Sequence, residues 1–134
     1  PRLSTRWKEV VDDDTRLGDA TTVWGRLRYL PLLTVARNEH EWYEAAKQAY
    51  SHHIQGTAAD LSKVALVAAD RAAPGCLIAA IHDERLLEVS SLTLGGINDI
   101  IDIILLAVRA NMPHPELLKR SVKVGDNWGD MKEV

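Results

Sequence analysis

The sequence predicts an α/β fold of the α+β kind, with antiparallel β-hairpins packed against long helices. Three observations carry that expectation. "TTVWGRLRYLPLL" holds two β-rich runs joined across Gly25, and "GCLIAAIHDERLLEV" holds two apolar runs joined across His82, Asp83 and Glu84. Asn38 followed by Glu41 is a capping box ahead of a helical apolar stripe. Residues 97–110 are apolar enough to read as a largely buried helix.

In chain order, Ser4 or Thr5 can cap a first helix through about Arg16, with Trp7, Val10, Val11 and Leu17 on one face and Gly18 ending it. Residues 21–24 and 28–30 then form a hairpin that Pro31 closes, since proline fits the end of a strand better than the middle of a helix. The capping box opens the next helix, whose stripe is Trp42, Ala45, Ala46, Ala49 and Tyr50. A break is expected at "HIQGTAAD", because Gly56 costs about 1 kcal/mol inside a helix, and Thr57 is a usable cap for a second segment to about Arg71. The run at residues 76–89 fits a hairpin of buried strands or a core helix, and periodicity does not separate the two. Residues 122–125 form a last short strand. No internal repeat or low-complexity linker divides residues 1–134, so one domain is expected.

Of the 134 residues 46% are apolar, enough for a real core. No run of eighteen apolar residues and no signal-like N-terminus occur, so a cytoplasmic protein with no membrane partner is expected. Cys76, the single cysteine, lies in an apolar run and reads as a small buried hydrophobe. A net charge of -3 argues against nucleic-acid binding by a bulk positive field, so any such contact is local or shared with another chain.

The triplet His82, Asp83, Glu84 is out of place between two apolar runs. Taking a carboxylate out of water costs several kcal/mol without a partner or cation, so Asp83 and Glu84 need company or an open edge. A solvated turn is the plain alternative. Other patterns carry less. His40, Glu44, His52 and His53 match no closed zinc spacing and read as a solvated face. "TAADLSKVALVAADR" lacks the turn glycine of a helix-turn-helix. Pro1 as a catalytic N-terminal amine gives way to a simple chain start.

Distant strings join into one pattern. "IQGTAAD" and "IHDE", in that order, resemble the closing motifs of family A DNA polymerases, the DNA polymerase I type, the second being motif C. "WGRLRYLP" is similar to the family's Gly-Arg-Arg-x-Tyr-x-Pro segment, "VGDNW" resembles its terminal Val-Gly-x-x-x-Trp, and "PRLSTRWKEVVDDDTRLG" looks like the helix that follows the fingers. The resemblance covers nearly the whole chain. It implies the C-terminal palm segment of a right-hand polymerase fold, with an antiparallel palm-type sheet.

By that resemblance, Asp83 matches the metal-binding aspartate of motif C, Glu84 its neighbouring glutamate, and His82 the histidine beside the primer terminus. The implied cofactor is Mg²⁺, since phosphoryl transfer from a dNTP to a primer hydroxyl uses two hard cations held by carboxylates. Gln55 matches the glutamine that reaches the minor groove of primer-template DNA, where an amide meets acceptors common to every base pair. Ser51 stands where the family often has asparagine, and Lys47 where it often has arginine, without the bidentate fork. His53 replaces a frequent proline and Leu32 a frequent aspartate, as in a divergent, phage-like member. Arg26 and Arg28, interrupted by Leu27, can touch phosphate or form ion pairs with Asp12 to Asp14 or Asp19.

Motif A, with the second metal aspartate, and the fingers that grip the triphosphate are not found in these residues. The resemblance therefore implies templated DNA synthesis only together with a second polypeptide or chain segment, as one subunit of a split polymerase or as a fragment. A non-catalytic remnant that binds DNA or a partner is the alternative, and retention of His82, Asp83 and Glu84 together disfavours it. A small helical adaptor is a third reading, which a helix over residues 76–89 would support. The apolar "IIDIILLAV" leads us to expect a partner-seeking surface.

Overall fold

The computed structural model describes residues 14, 15, 17–90 and 94–134. The expected first helix lies mostly outside them; residues 14, 15 and 17 are helical, and Gly18 closes that turn at φ 69°, its N–H donating to Asp14 O at 2.8 Å. The chain divides into two compact units, residues 1–64 and 65–134.

In the first unit, β1 (Asp19–Thr21) pairs antiparallel with β2 (Leu27–Tyr29), Ala20 lying opposite Arg28. The hairpin is the expected one with its turn moved. The Thr22 carbonyl accepts from Gly25 N–H at 2.8 Å, and its hydroxyl from Arg26 N–H at 3.1 Å. The chain therefore leaves the ladder at Thr22, and Val23 and Trp24, expected in a strand, are exposed in the loop. Pro31 ends the hairpin and leads into the short α1 (Leu32–Val35).

Helix α2 (Glu39–Ser51) begins as its capping box dictates. Asn38 Oδ1 accepts from Glu41 N–H at 3.0 Å, while Glu41 Oε2 accepts from Arg37 N–H at 3.0 Å, one residue before the expected donor. Its stripe is the expected one: Ala45, Ala46 and Ala49 are buried against Ala20, Leu30 and Leu33, with Trp42 and Tyr50 packed at the margin. Small side chains at these positions let the hairpin lie close on the helix.

The expected break after α2 is instead a π turn, His52–Gly56, running directly into α3 (Thr57–Ala72). Thr57 is helical, and its hydroxyl, expected to cap the second segment, instead accepts from Val23 N–H at 3.2 Å. Gly56 is not a breaker but the point of closest approach. A Cβ there would lie 2.8 Å from Thr22 Cγ2 and 2.9 Å from His52 Nδ1. The buried His52 ring meets Arg26 O at 3.1 Å, and Arg26 returns Nη2–H to Gly56 O at 2.9 Å and Nε–H to Asp60 Oδ1 at 2.7 Å. Arg26 thus does form a structural ion pair, with Asp60; of the partners expected for it, Asp12 and Asp13 lie outside the described residues. Burial alone would raise the Asp60 carboxyl's pKa, but the Thr22 hydroxyl and the Arg26 and Lys63 charges outweigh it and hold the group below its ordinary value.

In the second unit, Ala73 and the turn at Gly75 (φ 77°) follow α3 and lead into β3 (Leu77–Ile81), antiparallel to β4 (Glu84–Leu87). The hairpin reading of residues 76–89 holds, and the helical adaptor falls with the helix it needed. The strands are only half-buried, not the buried pair expected, and Cys76 is likewise half-buried. Helix α4 (Leu94–Arg109) exists as expected but is not largely buried: Ile103 is 51% and Leu106 71% exposed. Ile97, Ile100, Ile101, Ile104 and Val108 face inward, and a helix apolar all round can bury only one face against a unit this small. The last strand, β5 (Lys123–Val124), pairs with β6 (Lys132–Glu133), a partner the sequence did not reveal. The α/β class stands, but among the described residues the strands form three separate two-stranded ribbons, not one sheet. No helix among these residues is long and apolar enough to cross a membrane.

Two outcomes follow from the joint at Gly56. Gly56→Ala gains about 1 kcal/mol of helix propensity, but two contacts under 3 Å put the overpacking at the upper end of about 1–3 kcal/mol. Denaturant unfolding of the chain should show a net loss of about 2 kcal/mol, and unchanged or increased stability would refute the close approach. The second concerns acid. Because the folded Asp60 titrates below its unfolded value, its contribution is complete above about pH 4 and is lost as pH falls through the lowered folded value. The stability difference between wild type and Asp60→Asn should therefore be constant at neutral pH and shrink below about pH 4; a difference that grows on acidification would reverse the sign.

Candidate functional site

The polar triplet sits at the open end of the β3–β4 hairpin. Ile81 lies opposite Glu84, which leaves His82 and Asp83 as a two-residue turn. Such a turn wants a left-handed residue, and His82 supplies it at φ 52° despite its β-carbon. His82, Asp83 and Glu84 are all exposed. Among the described residues neither the Asp83 nor the Glu84 carboxylate makes a hydrogen bond or ion pair. That resolves the misplaced charges: the triplet is at an open edge, where the carboxylates keep their water and can exchange it for a ligand. Arg85, on β4, reaches back with Nη1–H to His82 O at 3.3 Å and Glu84 O at 2.6 Å.

The second candidate group lies along the other unit's helix. Gln55 is exposed within the π turn, Ser51 is half-buried, and Lys47 is exposed. Eight residues of α-helix would carry Gln55 about 80° around the axis from Lys47. A π turn holds more residues per revolution and takes back part of that drift, so Lys47, Ser51 and Gln55 stay near one line. Lys47 is already engaged: Nζ lies 2.6 Å from Glu44 Oε1 and 5.3 Å from the centre of the Tyr43 ring. The hydrogen bond between them lowers the pKa of Glu44 and raises that of Lys47.

Arg26 and Arg28 both turn toward the helices, Arg26 to Gly56 and Asp60 and Arg28 through Nη2–H to Gln48 Oε1 at 2.9 Å. His53 Nε2 meets Asp14 Oδ2 at 2.8 Å. With His52 bonded to the hairpin loop, the histidines do not converge, and no group of three metal-ligating side chains forms among the described residues. The sequence reading missed Asp60 and Arg85. Asp60 stood inside the quoted "IQGTAAD", four residues after Gly56, and Arg85 directly followed the acidic pair as a basic residue on a short strand.

One unit thus presents acidic side chains at the tip of a half-buried hairpin and the other a polar helix face, each made of groups open to solvent rather than enclosed in a pocket. Comparison with known proteins gives the family. The model of "DNA polymerase family A" matches residues 1–130. DNA polymerase I of Mycobacterium leprae is 33% identical over 126 residues, covering 90% of this chain and 13% of that protein. The thermostable DNA polymerase I of Thermus caldophilus is 28% identical over 131 residues, covering 96% of this chain and 15% of that protein. The POL domain of Pol1 from M. smegmatis, solved in complex with DNA primer-template and dNTP, superimposes with a TM-score of 0.67 at 32% identity, over 80% of this chain and 19% of that one. The chain belongs to DNA polymerase family A. It spans about an eighth of the length of the polymerase I relatives it matches.

Proposed function

We propose that this chain forms the C-terminal palm portion of a DNA polymerase and contributes Asp83 to the site that joins a dNTP to a primer 3′-hydroxyl. The observation that carries this is the Asp83 carboxylate: exposed, without a protein partner among the described residues, and set on a two-residue turn between paired strands. Its hard oxygens fit Mg²⁺, and one carboxylate is too few to hold the ion alone. The remaining ligands belong to the motif A aspartate of the rest of the polymerase, on the same polypeptide or on a second one. Bound there, the cations stabilise charge on the attacking and leaving oxygens. Glu84, one residue on, adjusts the field at the ion, and to the His82 ring we assign a hydrogen bond to the primer backbone.

Gln55 is the residue we assign to the minor groove of the primer-template, with Ser51 and Lys47 along the same helix line. Lys47 reaches phosphate as one point charge and gives up its Glu44 contact to do so. Arg26 and Arg28 act first by holding the hairpin, each keeping an exposed side for phosphate. The exposed Ile103 and Leu106 suit a face that the rest of the polymerase covers.

Asp83→Asn, in the polymerase completed by motif A and the fingers, keeps the shape and removes the charge. Single-turnover extension should fall by about two to three orders of magnitude, the equivalent of several kcal/mol. Primer-template affinity should hold, and the melting point should stay level or rise as repulsion from Glu84 is relieved. Glu84→Gln should lose less. Near-wild-type extension by Asp83→Asn, or a loss explained by unfolding, would return the triplet to an ordinary turn.

Gln55→Ala should slow extension roughly tenfold, about one hydrogen bond's worth, with little change in primer-template affinity. An affinity loss as large as the rate loss would remove Gln55 from the groove.

A further inference from the structure

We infer that Arg85 is a positioning residue for Asp83, fixing the two-residue turn so that the carboxylate points where a metal is received. The inference rests on the proposed role of Asp83. His82 holds a left-handed backbone that residues with a β-carbon rarely adopt, so the turn needs something outside itself to keep it there. The ladder does not supply it, because His82 and Asp83 lie beyond the last pair, Ile81 with Glu84.

Arg85 does. One guanidinium nitrogen, Nη1, donates to His82 O at 3.3 Å and to Glu84 O at 2.6 Å, the carbonyls of the residues on either side of Asp83. Tying both together restrains the backbone rotations of residue 83 and with them the direction of its Cα–Cβ bond. The side chain that makes this clasp is half-buried on β4, opposite Ala80 on the same face of the ribbon, where a small neighbour leaves room for the arginine stem. A planar guanidinium can serve two carbonyls at once from one rotamer, whereas a lysine ammonium is a compact charge on a freer stem. A ligand held in its binding direction before the metal arrives has less ordering left to do, so the benefit appears as metal affinity rather than as rate at saturation.

The test compares wild type, Arg85→Met, Arg85→Lys and Asp83→Asn. In the metal-free chain, amide order parameters at residues 82–84 should be those of rigid backbone, about 0.85, and fall below about 0.6 in Arg85→Met. In the completed polymerase, the Mg²⁺ concentration for half-maximal single-turnover extension should rise about tenfold in Arg85→Met, saturating Mg²⁺ should restore most of the rate, and Arg85→Lys should recover part of both readouts. Unchanged order parameters, an unchanged Mg²⁺ requirement, or a rate loss that saturating Mg²⁺ leaves in place each overturns the proposal. If Arg85→Met does not fold, the same measurements on Arg85→Lys decide: an intermediate shift supports it and wild-type values overturn it. The Asp83→Asn arm separates the two levels. An inactive Asp83→Asn beside a normal Arg85→Met removes only the positioning role, whereas an active Asp83→Asn removes the catalytic reading beneath it.

Discussion

The first unit depends on one close approach, the hairpin loop at Thr22 against the helix backbone at Gly56, where a single added carbon would meet atoms at 2.8 and 2.9 Å. The surrounding contacts require that distance. Arg26 spans it to reach both the Gly56 carbonyl and Asp60, the His52 ring fills the space beneath, and the Thr57 hydroxyl takes the Val23 amide. Each bond is modest, because folding exchanges water contacts for protein ones. Together they give the Val23 amide, the Arg26 carbonyl and the Arg26 guanidinium partners at the cost of one side chain's volume. The π turn is part of the same fit, since it lets the helix pass the hairpin without breaking and sets Gln55 on the exposed side.

The tip of the β3–β4 hairpin is built on the opposite principle. Its three polar side chains are exposed, and its backbone is held in a left-handed turn by the arginine that follows. On the proposed reading the tip admits a cation and a nucleic acid and so is not closed by its own chain, and its precision has to come from backbone and from a few bonds aimed at it. The carboxylates have the repulsion expected of adjacent like charges, which water screens at this edge and a cation would balance when bound.

Departures from the family pattern are informative where the structure shows what replaced the missing interaction. Lys47 lacks the fork of an arginine and is held instead by Glu44 and the Tyr43 ring. His53, in place of a frequent proline, gives its ring nitrogen to the buried Asp14 and so ties the π turn to the helical residues before Gly18. These exchanges keep the helix face in order by bonds within the first unit.

Sequence alone determined what depends on neighbours along the chain. The capping box at Asn38, the alanine stripe of α2, the helix at residues 97–110 and the first hairpin all follow from spacing, capping and turn chemistry, while spacing left residues 76–89 open between hairpin and helix, and the strings around Gln55 and Asp83 carried the family. Tertiary structure decided what depends on distant atoms. Gly56 looked like a breaker because propensity counts only the local cost, and it became a joint because Thr22 packs against it from 34 residues earlier in the chain. The strands beside the triplet looked buried because they are apolar, yet burial is fixed by what packs over a ribbon, and little does. Arg26 found Asp60, β5 found β6, and α4 kept an apolar face in water for the same reason. Composition sets how much surface a chain would bury, but only the assembled fold sets which surfaces meet.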